Sequence, residues 1–156
     1  TTTLAGYLNL LNDSGLLCGL QKFTIDRARS RASIPKFQVY NNALKMVYSQ
    51  QTFEQAVADR KEWGHVFESG IGAYIICQGF IHRFEVFYWR DGSDEVDFVL
   101  RKNGRVVAVE VKSNNERWTY GLVKFQEMFH PHRTMVVGDG GIPAGDFLGM
   151  DLAGLF

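Results

Sequence analysis

Two apolar runs, Glu95–Lys102 and Arg105–Ser113, flank Asn103-Gly104, the favoured pair for a two-residue type I′ hairpin turn. That turn fixes the register: Lys102 faces Arg105, Leu100 faces Val107, Phe98 faces Val109 and Val96 faces Val111. On the other face, set by the two-residue period of a strand, Val99 meets Ala108, Asp97 meets Glu110 and Glu95 meets Lys112. Opposed side chains have Cβ atoms about 4.5–5.5 Å apart, and like charges there destabilise the pair. Asp97 against Glu110 is therefore a cost that the fold must offset. Lys112, two residues along on the same face, offsets part of it. A divalent cation offsets more, because hard cations gather converging carboxylate oxygens. The alternatives are one carboxyl with a strongly raised pKa, or a wet face that dilutes the pair. Val99, Val106 and Ala108 are not the neighbours of a fully wet face. A one-residue bulge in either strand would undo this register.

Other constellations are weaker. Lys22, Arg27, Arg29, Arg31 and Lys36 stand in and around the polar stretch 24–33 against a single acid, Asp26. Clustered Arg and Lys contact nucleic-acid phosphates, and the plainer reading is a solvated hairpin tip. Lys124 and Gln126 lie on the helical stretch after the second run, where they either face a phosphate or simply face solvent. Tyr88, Trp89 and Trp118 either stack on bases or belong to the core. His130-Pro131-His132 invites a zinc reading but has no third ligand at a useful spacing. Gly138-Asp139-Gly140-Gly141 has glycines for a phosphate cradle but no lysine and no strand-to-helix context.

These residues need a scaffold, and the chain is long enough to supply one. Its 156 residues, 46% hydrophobic and 22% charged, fit one domain with a small appendage. Folding at this length removes roughly two-thirds of the unfolded chain's surface from water. Lys plus Arg equals Asp plus Glu at 17 each, so net charge gives no reason to expect nucleic acid. No apolar run reaches the roughly 18 residues of a membrane helix, no signal peptide is evident, and two cysteines make no disulfide framework. The expected location is the cytoplasm. A P-loop is absent from these residues, so no nucleotide site is expected here.

Leu4, Tyr7, Leu8 and Leu11 form a helical stripe ended by Ser14-Gly15. A lone helix cannot bury that stripe, and the chain opens without Met, which predicts a fragment of a longer protein. Strand-like runs follow at Leu16–Phe23 and Lys36–Tyr40, and helix, strand, basic loop, strand is the layout of half a winged helix. Residues 1–50 are thus expected to form a partial winged-helix element and residues 51–156 the main domain. In the latter, helices are expected at Phe53–Arg60, Glu62–Cys77 and Trp118–Phe129, and strands at Phe80–Arg90, Glu95–Lys102, Arg105–Ser113 and Arg133–Gly138. The tail from Gly138 reads as loop with about one turn of helix.

Helix, three-strand meander, helix, strand, with Asp97 and Glu110-Val111-Lys112 on adjacent strands, resembles the αβββαβ core of the PD-(D/E)XK nucleases, an α/β restriction-endonuclease-like fold. Gly64-His65-Val66-Phe67-Glu68, Tyr88-Trp89-Arg90, Glu95-Val96-Asp97-Phe98-Val99, Val109-Glu110-Val111-Lys112-Ser113 and Gly121-Leu122-x-x-Phe125 occur in that order. With Tyr7-Leu8-x-x-Leu-Leu and Pro35-Lys36-Phe37-x-Val39-Tyr40, they resemble the domain of unknown function that lies C-terminal to the ATPase module in prokaryotic AAA-type P-loop proteins. The resemblance implies Asp97 and Glu110 as ligands of Mg²⁺ or Mn²⁺, with the Val111 carbonyl a third. It implies Lys112 as the group that orients or deprotonates the attacking water, and Glu68 as an extra acid holding a second metal or Lys112. Three functions follow: a DNA- or partner-binding module attached to an ATPase; an active metal-dependent DNA endonuclease or nickase; or a structural ion-pair ladder of Glu95, Lys112 and a nearby Arg that serves homo-oligomerisation.

Overall fold

Asn103 and Gly104 both adopt positive φ, 51° and 80°, as a type I′ turn requires. The strands they join anchor the architecture, seen in a computed structural model that describes residues 2–25, 33–113 and 120–156. In chain order the elements are α1 (Thr2–Asp13), β1 (Leu17–Lys22), β2 (Lys36–Val39), α2 (Asn42–Ser49), α3 (Phe53–Ala58), α4 (Arg60–His82), β3 (Glu85–Asp91), β4 (Asp94–Lys102), β5 (Arg105–Lys112), α5 (Tyr120–Phe129), β6 (Arg133–Gly138) and α6 (Ala144–Leu148), then a 3-10 turn at Leu152–Leu155.

The strands make one mixed sheet in the order β2-β1-β3-β4-β5-β6. Within it β1 runs parallel to β3 and β6 parallel to β5, while the other neighbours are antiparallel. The β1–β2 hairpin, expected as part of a winged-helix element, is an edge of this sheet, and its Leu20 shares a core with α4. Residues on either side of position 50 therefore share one sheet.

Both faces of the sheet are covered. On one, Ile71, Ile75 and Ile76 of α4 pack on Phe98, Leu100, Val107 and Val109, and Phe147, Leu152 and Leu155 close the layer. On the other, Leu122 and Phe125 of α5 pack on Trp89, Val96, Val99 and Ala108. Double coverage explains why the middles of β4 and β5, residues 98–100 and 106–109, are apolar on both faces rather than alternating.

Three elements differ from expectation. Helix α4 continues to His82, so residues 80–82, expected as strand, are helical. Gly79 does not end it: a Cβ there would lie 3.1 Å from the Phe84 carbonyl oxygen and from Val86, so this glycine serves close packing. The helix stops at Arg83, which takes the left-handed conformation at φ 56° and donates its N–H to the Gly79 carbonyl. Helix α2, capped by Asn41, occupies a stretch without an expected element. The tail buries Phe147, Leu152 and Leu155 through α6 and the 3-10 turn, more structure than one turn of helix. Among the described residues no helix is long and apolar enough to cross a membrane.

Helix α5 approaches β4 through Gly121, where a Cβ would meet the Glu95 carbonyl oxygen at 2.2 Å and its nitrogen at 2.8 Å. Backbone cannot yield as a side-chain tip can. Gly121→Ala is expected to lower stability by about 2–3 kcal/mol, as overpacking does, read as a lower urea midpoint at unchanged m-value. A loss below about 0.5 kcal/mol would show that α5 shifts freely on the sheet.

Candidate functional site

The site begins with a bulge. Phe87 pairs with Val99 and Trp89 with Val96, so Asp97 and Phe98 of β4 together oppose Tyr88 of β3. The alternation of β4 changes phase there: Phe98 and Leu100 face the α4 core, yet Val96 joins Val99 in the α5 core. Glu95 and Asp97 consequently reach the α4 side, where Glu68 lies. The expected β4–β5 register is present from Lys102–Arg105 to Phe98–Val109 and ends at that pair. Beyond it the Asp97 carboxylate accepts the Val111 N–H at 2.8 Å. The facing pairs expected there are replaced by this side-chain contact, because the bulge takes β4 out of phase.

Opposite the bulge stands Lys36. On β2 it shares a face with Gln38, whose amide donates to the Ser69 carbonyl of α4 at 2.8 Å. Strand and helix approach this closely because residue 72 is glycine; a Cβ there would sit 2.5 Å from Gln38 Oε1 and 2.6 Å from the Phe98 ring. Lys36 Nζ then lies 2.7 Å from Glu68, 2.8 Å from Glu95 and 3.6 Å from Asp97. Burial alone would favour a neutral lysine, but the charges of Asp97 and Glu68 outweigh it and hold Lys36 protonated well above the usual lysine range. Glu95 is gripped a second time by Arg90, whose Nε donates at 3.0 Å. Burial pushes Glu95 upward, yet Lys36 and Arg90 together hold its pKa below the usual glutamate value.

Asp97 joins this group to a second pair. Lys112 Nζ lies 3.0 Å from Glu110, which is 4% exposed. Burial first, then the charges of Glu110 and Glu68, push the Asp97 carboxyl up to about 7, against the opposing pull of Lys36 and the Val111 N–H. A half-buried carboxyl with a raised pKa thus lies between two ammonium–carboxylate groups.

Of the residues expected from sequence, Glu68, Asp97, Glu110 and Lys112 are thus brought together. Glu95 and Lys112 do not pair: Glu95 takes Lys36 and Arg90, and Lys112 takes Glu110. Lys124 is held by Asp91 at 2.8 Å and Asp94 at 3.0 Å, and Gln126 is exposed on α5. Tyr88 and Trp89 are buried, with the Tyr88 hydroxyl donating to the Ile34 carbonyl, so neither offers a ring to a base. The N–H groups of Gly138, Asp139, Gly141 and Ile142 donate to backbone carbonyls, which leaves no phosphate cradle in that loop. Arg27, Arg29, Arg31 and Trp118 lie outside the described residues. The missed participant is Lys36, grouped by sequence with the loop cations. The two-residue period sets it with Gln38 on the face opposite apolar Phe37 and Val39, so the local pattern points it outward and gives no signal of the site.

Among the described residues no group of three His, Cys, Asp or Glu side chains is disposed to hold a divalent ion. Glu68 and Glu95 are turned to the Lys36 ammonium, one Glu110 oxygen to the Lys112 ammonium, and Asp97 accepts the Val111 N–H.

The raised Asp97 pKa has a consequence for stability. The folded state holds a proton that the unfolded carboxyl, with an ordinary pKa near 3.9, releases. Asp97's contribution is complete below about pH 4 and is lost as pH rises toward 7. Glu95, with its lowered pKa, acts in the opposite sense and only at lower pH. The urea midpoint is therefore expected to fall between pH 5 and pH 7.5, and to fall less in Asp97→Asn, which mimics the protonated form. Equal slopes in both proteins would show that Asp97 is ionised throughout.

No curated protein and no solved structure matches the chain. A family model does: the one described as Domain of unknown function (DUF4143) matches residues 63–144, from α4 through β6. The match covers just over half of the chain and contains Glu68, Asp97, Glu110 and Lys112 but not Lys36. The chain belongs to the DUF4143 family.

Proposed function

We propose that this domain is a nuclease-like fold used as a DNA-binding module of a larger AAA-type ATPase, with its acidic centre neutralised from within. The order α4, β3, β4, β5, α5, β6, with Asp97 and Glu110-Val111-Lys112 on adjacent strands, supports a PD-(D/E)XK relationship. The observation that carries the reading is the Lys36 ammonium within 3 Å of Glu68 and Glu95, and 3.6 Å from Asp97. Hydrolysis of a phosphodiester by such a fold needs a cation with open coordination positions to bind phosphate and water. An ammonium on a tethered side chain neutralises carboxylates but offers no such positions. Neutralisation suits binding, because uncompensated carboxylates would repel a phosphate backbone while Lys36, Arg90 and Lys112 cancel that field locally.

The alternative reading, an active Mg²⁺- or Mn²⁺-dependent DNA endonuclease or nickase, is favoured by one observation. Glu110 and Lys112 lie together beside Asp97, the set that the family resemblance makes catalytic. It requires Lys36 to leave the carboxylates.

Calorimetry separates the two. The wild-type domain is expected to take up neither Mg²⁺ nor Mn²⁺ at millimolar concentration, whereas Lys36→Met, or Lys36→Gln if the first folds poorly, is expected to bind Mn²⁺. Cleavage of plasmid DNA by the wild type, abolished by Asp97→Asn, would overturn the binding-module reading.

A further inference from the structure

Several cations of this chain sit on carboxylates: Lys36, Arg90, Arg101, Lys112 and Lys124. The end of the sheet at the Asn103-Gly104 turn is built differently. Lys102 and Arg105 stand directly opposite each other, like charges in a position that costs stability. Arg133 opens β6 opposite Val107, two residues along β5 from Arg105. The rows that carry these cations are core rows farther along. Lys102 continues the row of Leu100, Arg105 that of Val107 and Val109, and Arg133 that of Met135 and Val137, all on the α4 side. Three cations therefore project from one face of three adjacent strands. Among the described residues no carboxylate pairs with any of them. Lys102, Asn103 and Arg105 also line a cavity of about 420 Å³ whose remaining walls are Ala153 and Phe156.

The fold has no use for this charge. Asn-Gly alone specifies the turn, and any polar pair in place of Lys102 and Arg105 would relieve repulsion. A row of phosphates accounts for it. Adjacent strands lie about 4.8 Å apart, so the three cations spread across roughly 10 Å. Successive phosphates of one DNA strand advance about 3.4 Å along the helix axis, so about four of them fall within the row and each cation has one in reach.

We propose that Lys102, Arg105 and Arg133 form the surface that contacts the DNA backbone, each taking a phosphate of the same strand. This rests on the reading of the domain as a DNA-binding module and gives that reading a location. Five residues of β4 separate Lys102 from Asp97, roughly 16 Å at strand spacing.

The test is fluorescence anisotropy of a labelled 20-base-pair duplex, titrated with the domain at 25 to 200 mM KCl. Three proteins are compared: wild type, K102Q/R105Q/R133Q, and the control K45Q/R60Q/K61Q with the same charge change on α2 and α4. The first variant is expected to bind at least tenfold more weakly at 50 mM KCl. Its plot of log affinity against log salt is expected to flatten by about 0.9 for each phosphate it no longer neutralises. The control is expected to change less than twofold. The first variant should unfold at the same or a higher urea concentration than wild type, since a repulsive pair is relieved; weaker DNA binding with that midpoint kept is the supporting result. Equal weakening in both variants would reduce the surface to bulk charge and overturn the proposal. So would wild-type affinity in the first variant, or polyglutamate competing as well as DNA, which would mark an acidic protein partner. A wild-type domain that fails to bind DNA even at 25 mM KCl would remove the functional reading itself.

Discussion

One ammonium group, on Lys36, settles how this domain is held together at its candidate site. Three carboxylates from two elements, Glu68 on α4 and Glu95 and Asp97 on β4, crowd a partly buried space in which none would be stable alone. Losing one partner of a buried ion pair costs about 3–5 kcal/mol because the other charge is left uncompensated, while replacing a whole network by apolar side chains is often neutral. Once the acids are present, that asymmetry makes loss of Lys36 destabilising. The dependence also runs the other way. Among the described residues the β1–β2 hairpin joins β3 through the pairs Gln21–Phe87 and Lys22–Tyr88 and through the Phe23 N–H, which donates to the Tyr88 carbonyl. It is fastened further by Lys36, by Gln38 on Ser69 and by the Tyr88 hydroxyl on Ile34. The charge network is therefore the clasp between hairpin and sheet as well as the content of the site.

The bulge at Asp97 and Phe98 makes that clasp geometrically available. Without it, Asp97 and Glu95 would share the face of Val99, beneath α5, where Leu122 and Phe125 leave no room for charge. One extra residue in β4 turns both acids toward α4 and Lys36, and frees the Asp97 carboxylate to take the Val111 N–H in place of a backbone partner. Gly72 and Gly121 are the complement of this arrangement. The first admits Gln38 and Phe98 against α4, and the second lets α5 close over the backbone of Glu95. Two missing side chains permit the close approach on either face that a doubly covered charged strand needs.

Much of this was legible in the sequence, for physical reasons that differ by residue. The Asn-Gly turn and the doubly apolar strands specify β4 and β5 locally, so the pairing from Lys102 to Phe98 followed from two-residue geometry alone. The elements α4, α5 and β6 likewise carry their own periodicity. What local pattern could not supply was the bulge, since no residue at 96–98 announces one, and with it the face on which Asp97 appears. Nor could it join Lys36 to Glu95, a contact across 59 residues that depends on β1 lying parallel to β3. Helix α2 was hidden because Asn42–Ser49 buries none of its residues and so lacks a core stripe. Sequence found the acids and the fold order; tertiary contact chose their cation.

A net charge of zero conceals how unevenly the charges are distributed. The 17 acidic and 17 basic residues cancel in sum, but not in place. At one end of β4 the acids are partly buried and matched by Lys36, Arg90 and Lys112; at the other, Lys102, Arg105 and Arg133 lie at the surface with no carboxylate partner among the described residues. Coulomb interactions between charges a few ångströms apart survive physiological salt, whereas those beyond roughly 8 Å are screened. The compensated centre, roughly 16 Å away along the strand, cannot cancel the field at the turn. The same strand thus holds compensated acids at one end and cations without a carboxylate partner among the described residues at the other, so a polyanion approaching this molecule meets the turn as a locally positive surface.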